Sequence, residues 1–114
     1  MPCTDPRDVT HLEEAFDLGT PDIRQWELEL IWAAVELKLM ILSNHASRAA
    51  EEESVPEAAV WRVIREGSAS SKDIDAPGRR KVGINFDGKI RGGRWIRAKV
   101  SWQVRYVVAT VHTV

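Results

Sequence analysis

Trp95-Ile96-Arg97-Ala98-Lys99-Val100-Ser101-Trp102 decides the fold class. Ile96, Ala98, Val100 and Trp102 alternate with Trp95, Arg97, Lys99 and Ser101, and a period of two sends successive side chains to opposite faces of a strand. One face is apolar and meets a core; the other is cationic and aromatic. The same period holds on both sides of this segment. Upstream, Val82, Ile84 and Phe86 alternate with Gly83 and Asn85, ahead of Asp87-Gly88, a tight-turn signal. Downstream, Val104, Tyr106, Val108, Thr110 and His112 alternate with Arg105, Val107, Ala109 and Val111. Three consecutive strands of this kind form an antiparallel meander.

Ahead of the meander, Ser68 to Gly78 reads as a polar linker, and before it the period is helical. Ser54-Val55-Pro56-Glu57 has the spacing of a capping box, and the helix it opens carries Ala59, Val60, Val63 and Ile64 on one face and stops at Gly67. Ser43 or Asn44 caps another helix, His45 to about Glu53. Leu37 to Ser43 is a short apolar run that fits a helix extension or a buried strand; the turn-forming Ser43-Asn44 tilts it towards a strand. Thr20-Pro21-Asp22 has the order of a helix start, and Ile23, Trp26, Leu30 and Ala34 continue it to about Val35. Residues 1–19 hold two prolines, several acids and few apolar side chains, which suggests a flexible arm with a short helical turn near His11 to Phe16. The expected organisation is this arm followed by a single α+β domain, 20–114, with N-terminal helices packed on a curved antiparallel meander.

The chain has 114 residues, 44% hydrophobic and 29% charged. That is enough to bury a core without metal or disulfide staples, and too apolar for wholesale disorder. Cys3 is the single cysteine, so no disulfide forms within the chain and no Cys/His metal pattern exists; a reducing, cytoplasmic setting suits this. No signal-peptide pattern opens the chain. The longest apolar stretch, Leu28 to Leu42, is interrupted by Glu29, Glu36 and Lys38, which argues against a membrane span. Five tryptophans are many, and packing accounts for most of them, with one or two left as a contact surface. The net charge of −1 conceals a split. Residues 1–66 carry 14 acids and 6 bases, a net of −8, and residues 67–114 carry 3 acids and 10 bases, a net of +7. Such asymmetry points to a polyanionic partner or to mutual attraction between the halves.

Arg79, Arg80, Lys81, Arg91, Arg94, Arg97 and Lys99, with Trp95 among them, form a basic zone on and around the meander. Cations neutralise phosphates and a flat aromatic stacks an unpaired base, so this composition suits RNA. It equally suits a solvated sheet face that resists edge aggregation. Histidine is the side chain that moves protons near neutral pH. His45 stands at a helix start, where the helix dipole favours an anion. His112 is near the end of the last strand, on the side of Thr110. Glu51, Glu52 and Glu53 read as a solvated helix face. No phosphate-binding glycine loop, zinc-protease motif, nucleophile elbow or calcium loop occurs, and no cofactor or metal is expected.

Ser43, His45, Ala46 and Arg48 spell Ser-x-His-Ala-x-Arg, one residue shorter than a Ser-x-His-Ala-x-x-Arg signature. With the helix Val55 to Glu66, Gly67, Asp87-Gly88 and the closing Val108-Ala109-Thr110-Val111-His112, this pattern resembles the bacterial domain of unknown function 4258, over about residues 37–114. That family is similar to the RelE/ParE-like toxins. The resemblance implies a RelE-like core at 37–114, with 20–36 an added helix, and metal-independent RNA cleavage with His45, Arg48 and Thr110 near the cleft. His112 is then a candidate second proton-transfer group. The expected function is a toxin-like ribonuclease, with RNA or the ribosome and a cognate antitoxin as partners and a homodimer compatible. The alternatives are a non-catalytic nucleic-acid- or protein-binding module, and an antitoxin-like regulator that uses its acidic helices.

Overall fold

The computed structural model describes Arg7 and residues 16–74, 82–102 and 106–114; of Trp102 only the backbone is described. Its elements, in order, are α1 (Gln25–Glu36), β1 (Ile41–Leu42), α2 (Asn44–Glu52), α3 (Glu57–Glu66), β2 (Ser68–Asp73), β3 (Gly83–Lys89), β4 (Trp95–Trp102) and β5 (Tyr106–Thr113). The five strands form one mixed sheet in the order β1-β5-β4-β3-β2. β2 to β5 are an antiparallel meander, and β1 adds to its far edge parallel to β5. The expected α+β class holds, but the sheet is mixed, not purely antiparallel.

The alternation on β4 has the consequence expected of it. Ile96, Ala98 and Val100 are fully buried and join Ile84 and Phe86 of β3, Val108 and Val111 of β5, and apolar residues of all three helices in one core. Trp26, Trp32 and Trp61 pack against that core as half-buried side chains, whereas Trp95 is exposed.

α1 belongs to this core and is not an appendage. Leu30, Ile31 and Ala34 are buried, and the Trp32 indole donates to the Ile64 carbonyl of α3 at 3.0 Å. The helix starts at Gln25, later than the Thr20-Pro21-Asp22 signal suggests. Thr20 spends its hydroxyl on a local turn, accepting from the Asp22 amide at 3.1 Å. The true start is set by Glu27 at the third helical position, whose carboxylate accepts the Arg24 amide at 2.7 Å. Residues 16–19, expected to belong to a flexible arm, are ordered against α1; most of the rest of that expected arm lies outside the described residues. Phe16 is buried, and the Asp17 amide donates to Glu27 at 2.8 Å.

After α1 the backbone of Lys38 turns left-handed (φ 59°) and delivers the chain to β1, so only Ile41–Leu42 of the ambiguous run are strand. Ser43 caps α2, its hydroxyl accepting the Ala46 amide at 3.0 Å. The capping box expected at Ser54 does not form. Ser54 is itself left-handed (φ 56°), and the cap position of α3 falls on Pro56, which has no side-chain acceptor.

Two further expectations are overturned in the meander. Ser68–Asp73 is a strand, paired with β3, and not a linker. Asp87-Gly88 is not a turn either: it lies inside β3, and the chain reverses at Arg91-Gly92-Gly93, where both glycines have positive φ (88° and 79°). Gly88 is small because α3 crosses there; a Cβ would come within 2.9 Å of the Val63 side chain.

Candidate functional site

The sheet register lays the polar residues of the meander in two transverse rows. Ser68, Asp87, Arg97 and His112 are successive partners across β2, β3, β4 and β5. Ser71, Asn85, Lys99 and Thr110 form the neighbouring row. Alternation places both on the face away from the core. Thr110 and His112 therefore share a side, as the sequence suggested. Trp95 has the same parity as Arg97 and is 49% exposed.

The cations in these rows are engaged. Arg97 grips Asp87 through two bonds, Nε to Oδ1 at 2.7 Å and a terminal nitrogen to Oδ2 at 2.9 Å. Lys99 lies 2.8 Å from Asp73, and the Asn85 amide donates to Ser71 and Asp73. Arg97's hydrogen bonds hold the Asp87 carboxyl below its ordinary value of 3.8, against an opposing effect of partial burial. The Ser70 hydroxyl and the His112 charge add smaller contributions, and the Arg97 guanidinium is raised in return.

A depressed carboxyl contributes stability that is fully present above its unfolded value and is lost as pH falls through the folded one. Asp87→Asn should therefore lower the urea midpoint at neutral pH, with the difference from wild type shrinking once pH drops below 3.8. A pH-independent difference would show that the Asp87 charge is not what Arg97 stabilises.

His45 and Arg48 are exposed on α2. The buried residues of that helix are Ala46 and Ala50. The Ser-x-His-Ala-x-Arg pattern thus divides into two residues that build the fold, Ser43 and Ala46, and two that face solvent. Ser43 does more than cap. Its amide donates to the Val108 carbonyl at 3.0 Å and its hydroxyl to the Ala109 carbonyl at 3.1 Å. Ala109 is the extra residue of a bulge in β5: Val100 pairs with Val108 and Lys99 with Thr110, so Ala109 has no partner on β4. A bulge re-aims the strand residues beside it. Here it is also the docking point for the start of α2, and it brings Ser43 alongside Val108-Ala109.

The remaining candidates fall elsewhere. Among the described residues no hydrogen bond or ion pair joins His45 to Arg48, Thr110 or His112. Arg94 donates to the carbonyls of Glu53 and Ser54 at 2.6 and 3.1 Å, on the helical side of the molecule, and Arg91 is exposed in the β3–β4 turn. Arg79, Arg80, Lys81 and His11 lie outside the described residues. No group of His, Cys, Asp and Glu among the described residues is arranged to hold a metal ion, and none of the described helices is long and apolar enough to cross a membrane.

The most developed polar contact in the protein was not anticipated. Lys72 of β2 reaches Glu27 of α1 with its ammonium 3.0 and 2.9 Å from the two carboxylate oxygens, and both side chains are essentially sealed from solvent. It is a structural pair, not part of the polar sheet face. No protein-family model, curated protein or solved structure matches the chain.

Proposed function

We propose that this protein acts on RNA as a metal-independent ribonuclease of toxin type, centred on the corner where α2 meets the bulge of β5. The observation that carries the reading is the double role of Ser43, which caps α2 and ties it to Ala109. It leaves His45 and Arg48 exposed, with no hydrogen bond or ion pair among the described residues, on the helix tied to the strand that carries Thr110 and His112. The resemblance to the domain of unknown function 4258, in its RelE/ParE-like setting, supplies the reaction class.

In that chemistry one histidine accepts the proton of a ribose 2′-hydroxyl as its oxygen attacks the adjacent phosphorus. The bond to the 5′-oxygen breaks, and that oxygen takes up a proton, leaving a 2′,3′-cyclic phosphate. In this reading His45 is one proton-transfer group and Arg48 faces the phosphate charge; His112 stands on the sheet face away from the helices, so the leaving oxygen takes its proton from water.

Induced expression in a bacterial host, together with cleavage of purified RNA, tests this. His45→Ala should relieve growth arrest and slow cleavage about a hundredfold or more, the usual loss for a proton-transfer group. Unchanged cleavage by His45→Ala would overturn the assignment. A second reading, an RNA-binding module without catalysis, is favoured by one observation: among the described residues no hydrogen bond or ion pair joins His45 to Thr110 or His112, which stand on the sheet face away from the helices. It predicts RNA binding with no cyclic-phosphate product from the wild-type protein.

A further inference from the structure

Arg62 and Arg65 belong to the acidic half of the sequence, yet they converge with two arginines of the basic half. The four, Arg62 and Arg65 from α3 and Arg91 and Arg94 from the β3–β4 turn, line one cavity of about 560 Å³, with Ala59 and Ile90 beside them. Arg62 and Arg65 are three apart and share a helix face. No acidic side chain is among the lining residues; Glu53 and Glu57, close in the chain, are not part of it. Arg94 is fixed by the Glu53 and Ser54 carbonyls, which aims a rigid guanidinium into the group. Arg65 touches only Glu36, at 3.6 Å and largely exposed, a contact of little strength. Arg62 and Arg91 have no partner among the described residues.

Two further features point the same way. The cavity also borders the start of α3, the positive end of the helix dipole, where the cap residue Pro56 offers no side-chain acceptor and Ala59 donates to the Pro56 carbonyl at 3.0 Å. Arg65 also lines a second cavity, of about 350 Å³, with Lys38, Trp61, Val35 and Met40. The cations thus form a track from Arg91 and Arg94, through Arg62 and Arg65, to Lys38, with an indole at one end. Like charges gathered with only the weak, exposed Glu36 contact to offset them repel one another, and a bound anion relieves that repulsion.

We infer that this track binds the sugar–phosphate backbone of single-stranded RNA, with Trp61 as a stacking face, on elements other than those carrying His45 and His112. Guanidinium forks fit phosphate and carboxylate alike. Five cations, Arg62, Arg65, Arg91, Arg94 and Lys38, spread over two adjoining cavities with an indole in the second favour an unpaired nucleic acid over an acidic peptide. The inference rests on RNA being the ligand, but not on catalysis at His45.

Fluorescence anisotropy with a labelled single-stranded RNA tests it, with the same RNA as a duplex and a Glu/Asp-rich peptide as further arms. Arg62→Ala and Arg91→Ala remove exposed side chains with no hydrogen-bond or ion-pair partner among the described residues, so both should fold, which thermal melts check. Each should weaken RNA binding about tenfold at low salt and reduce the salt slope by about 0.7, one phosphate contact on a single strand. Arg24→Gln removes a charge that lines neither cavity and should leave both quantities unchanged. Trp61→Leu should weaken the single strand and not the duplex. If the wild-type protein binds RNA and neither arginine substitution matters, the track is overturned while RNA remains the ligand. If RNA fails to bind at any salt, or the acidic peptide alone binds through these arginines, RNA as the ligand is overturned too.

Discussion

Lys72→Ala is expected to destabilise the protein by about 3–5 kcal/mol, the usual result of removing one partner of a buried ion pair. Glu27 is fully buried and accepts four hydrogen bonds from three donors: two from the Lys72 ammonium and one each from the amides of Asp17 and Arg24. Without Lys72 the carboxylate keeps the two amides but loses the charge that balances it, in a place water does not reach. The effect should extend beyond β2. The same carboxylate starts α1 and holds the turn before it, so α1, β2 and residues 16–17 should loosen together. Hydrogen exchange would show this as shared loss of protection. Removing both charges separates the cost of an orphaned ion from the worth of the pair. Glu27→Gln combined with Lys72→Met keeps an acceptor for one amide and fills the lysine's volume, and should be clearly less damaging than Lys72→Ala alone. Urea melts of the three variants decide the matter. A Lys72→Ala midpoint within about 1 kcal/mol of wild type would mean that the pair is hydrated in solution.

That pair also shows why some of the fold was legible in the sequence and some was not. Burial on β4 follows from alternation because each side chain reports its own environment. The Glu27–Lys72 contact joins residues 45 positions apart, and neither has a local signature. β2 escaped detection for a related reason. An edge strand needs only backbone pairing on one side, and Ser-Ala-Ser-Ser-Lys-Asp offers just Ala69 and Lys72 to the interior. A buried lysine on such an edge also discourages pairing with another chain. Asp87-Gly88 misled because glycine serves two needs, left-handed turns and close packing, and here Val63 imposes the second.

The candidate site was legible as a composition and not as an arrangement. Ser43 as a cap and the shared side of Thr110 and His112 followed from local pattern. The division of charge did not survive folding. Arg97 and Lys99 are neutralised by Asp87 and Asp73 of their own basic half, whereas Arg62 and Arg65 of the acidic half join Arg91 and Arg94. Net charge along a chain fixes neither outcome, because both depend on which elements cross.

Gly67→Ala should cost about 3 kcal/mol, at the upper end of what overpacking does. Gly67 ends α3 with an extended backbone (φ −77°, ψ −175°), a conformation open to any residue, so its selection is not conformational. The constraint is contact. A Cβ there would stand 2.4 Å from the Val63 carbonyl oxygen and 2.5 Å from that of Asp87. Both are backbone atoms, one in the last turn of α3 and one in β3, so no side chain can swing aside. The helix end must lift from the sheet, and that movement displaces the strand residue whose carboxylate holds Arg97. Gly92→Ala supplies the contrast. Nothing lies within 4 Å of its Cβ, but φ is +88°, so the cost there is the left-handed penalty of about 1–2 kcal/mol for an L-residue. The two should also differ in kind. Gly67→Ala should disturb the amide spectrum of α3 and β3 and weaken the acid sensitivity that Asp87 confers, whereas Gly92→Ala should change only the turn. Equal, local effects from both substitutions would show that α3 does not press on β3 as closely as these distances require.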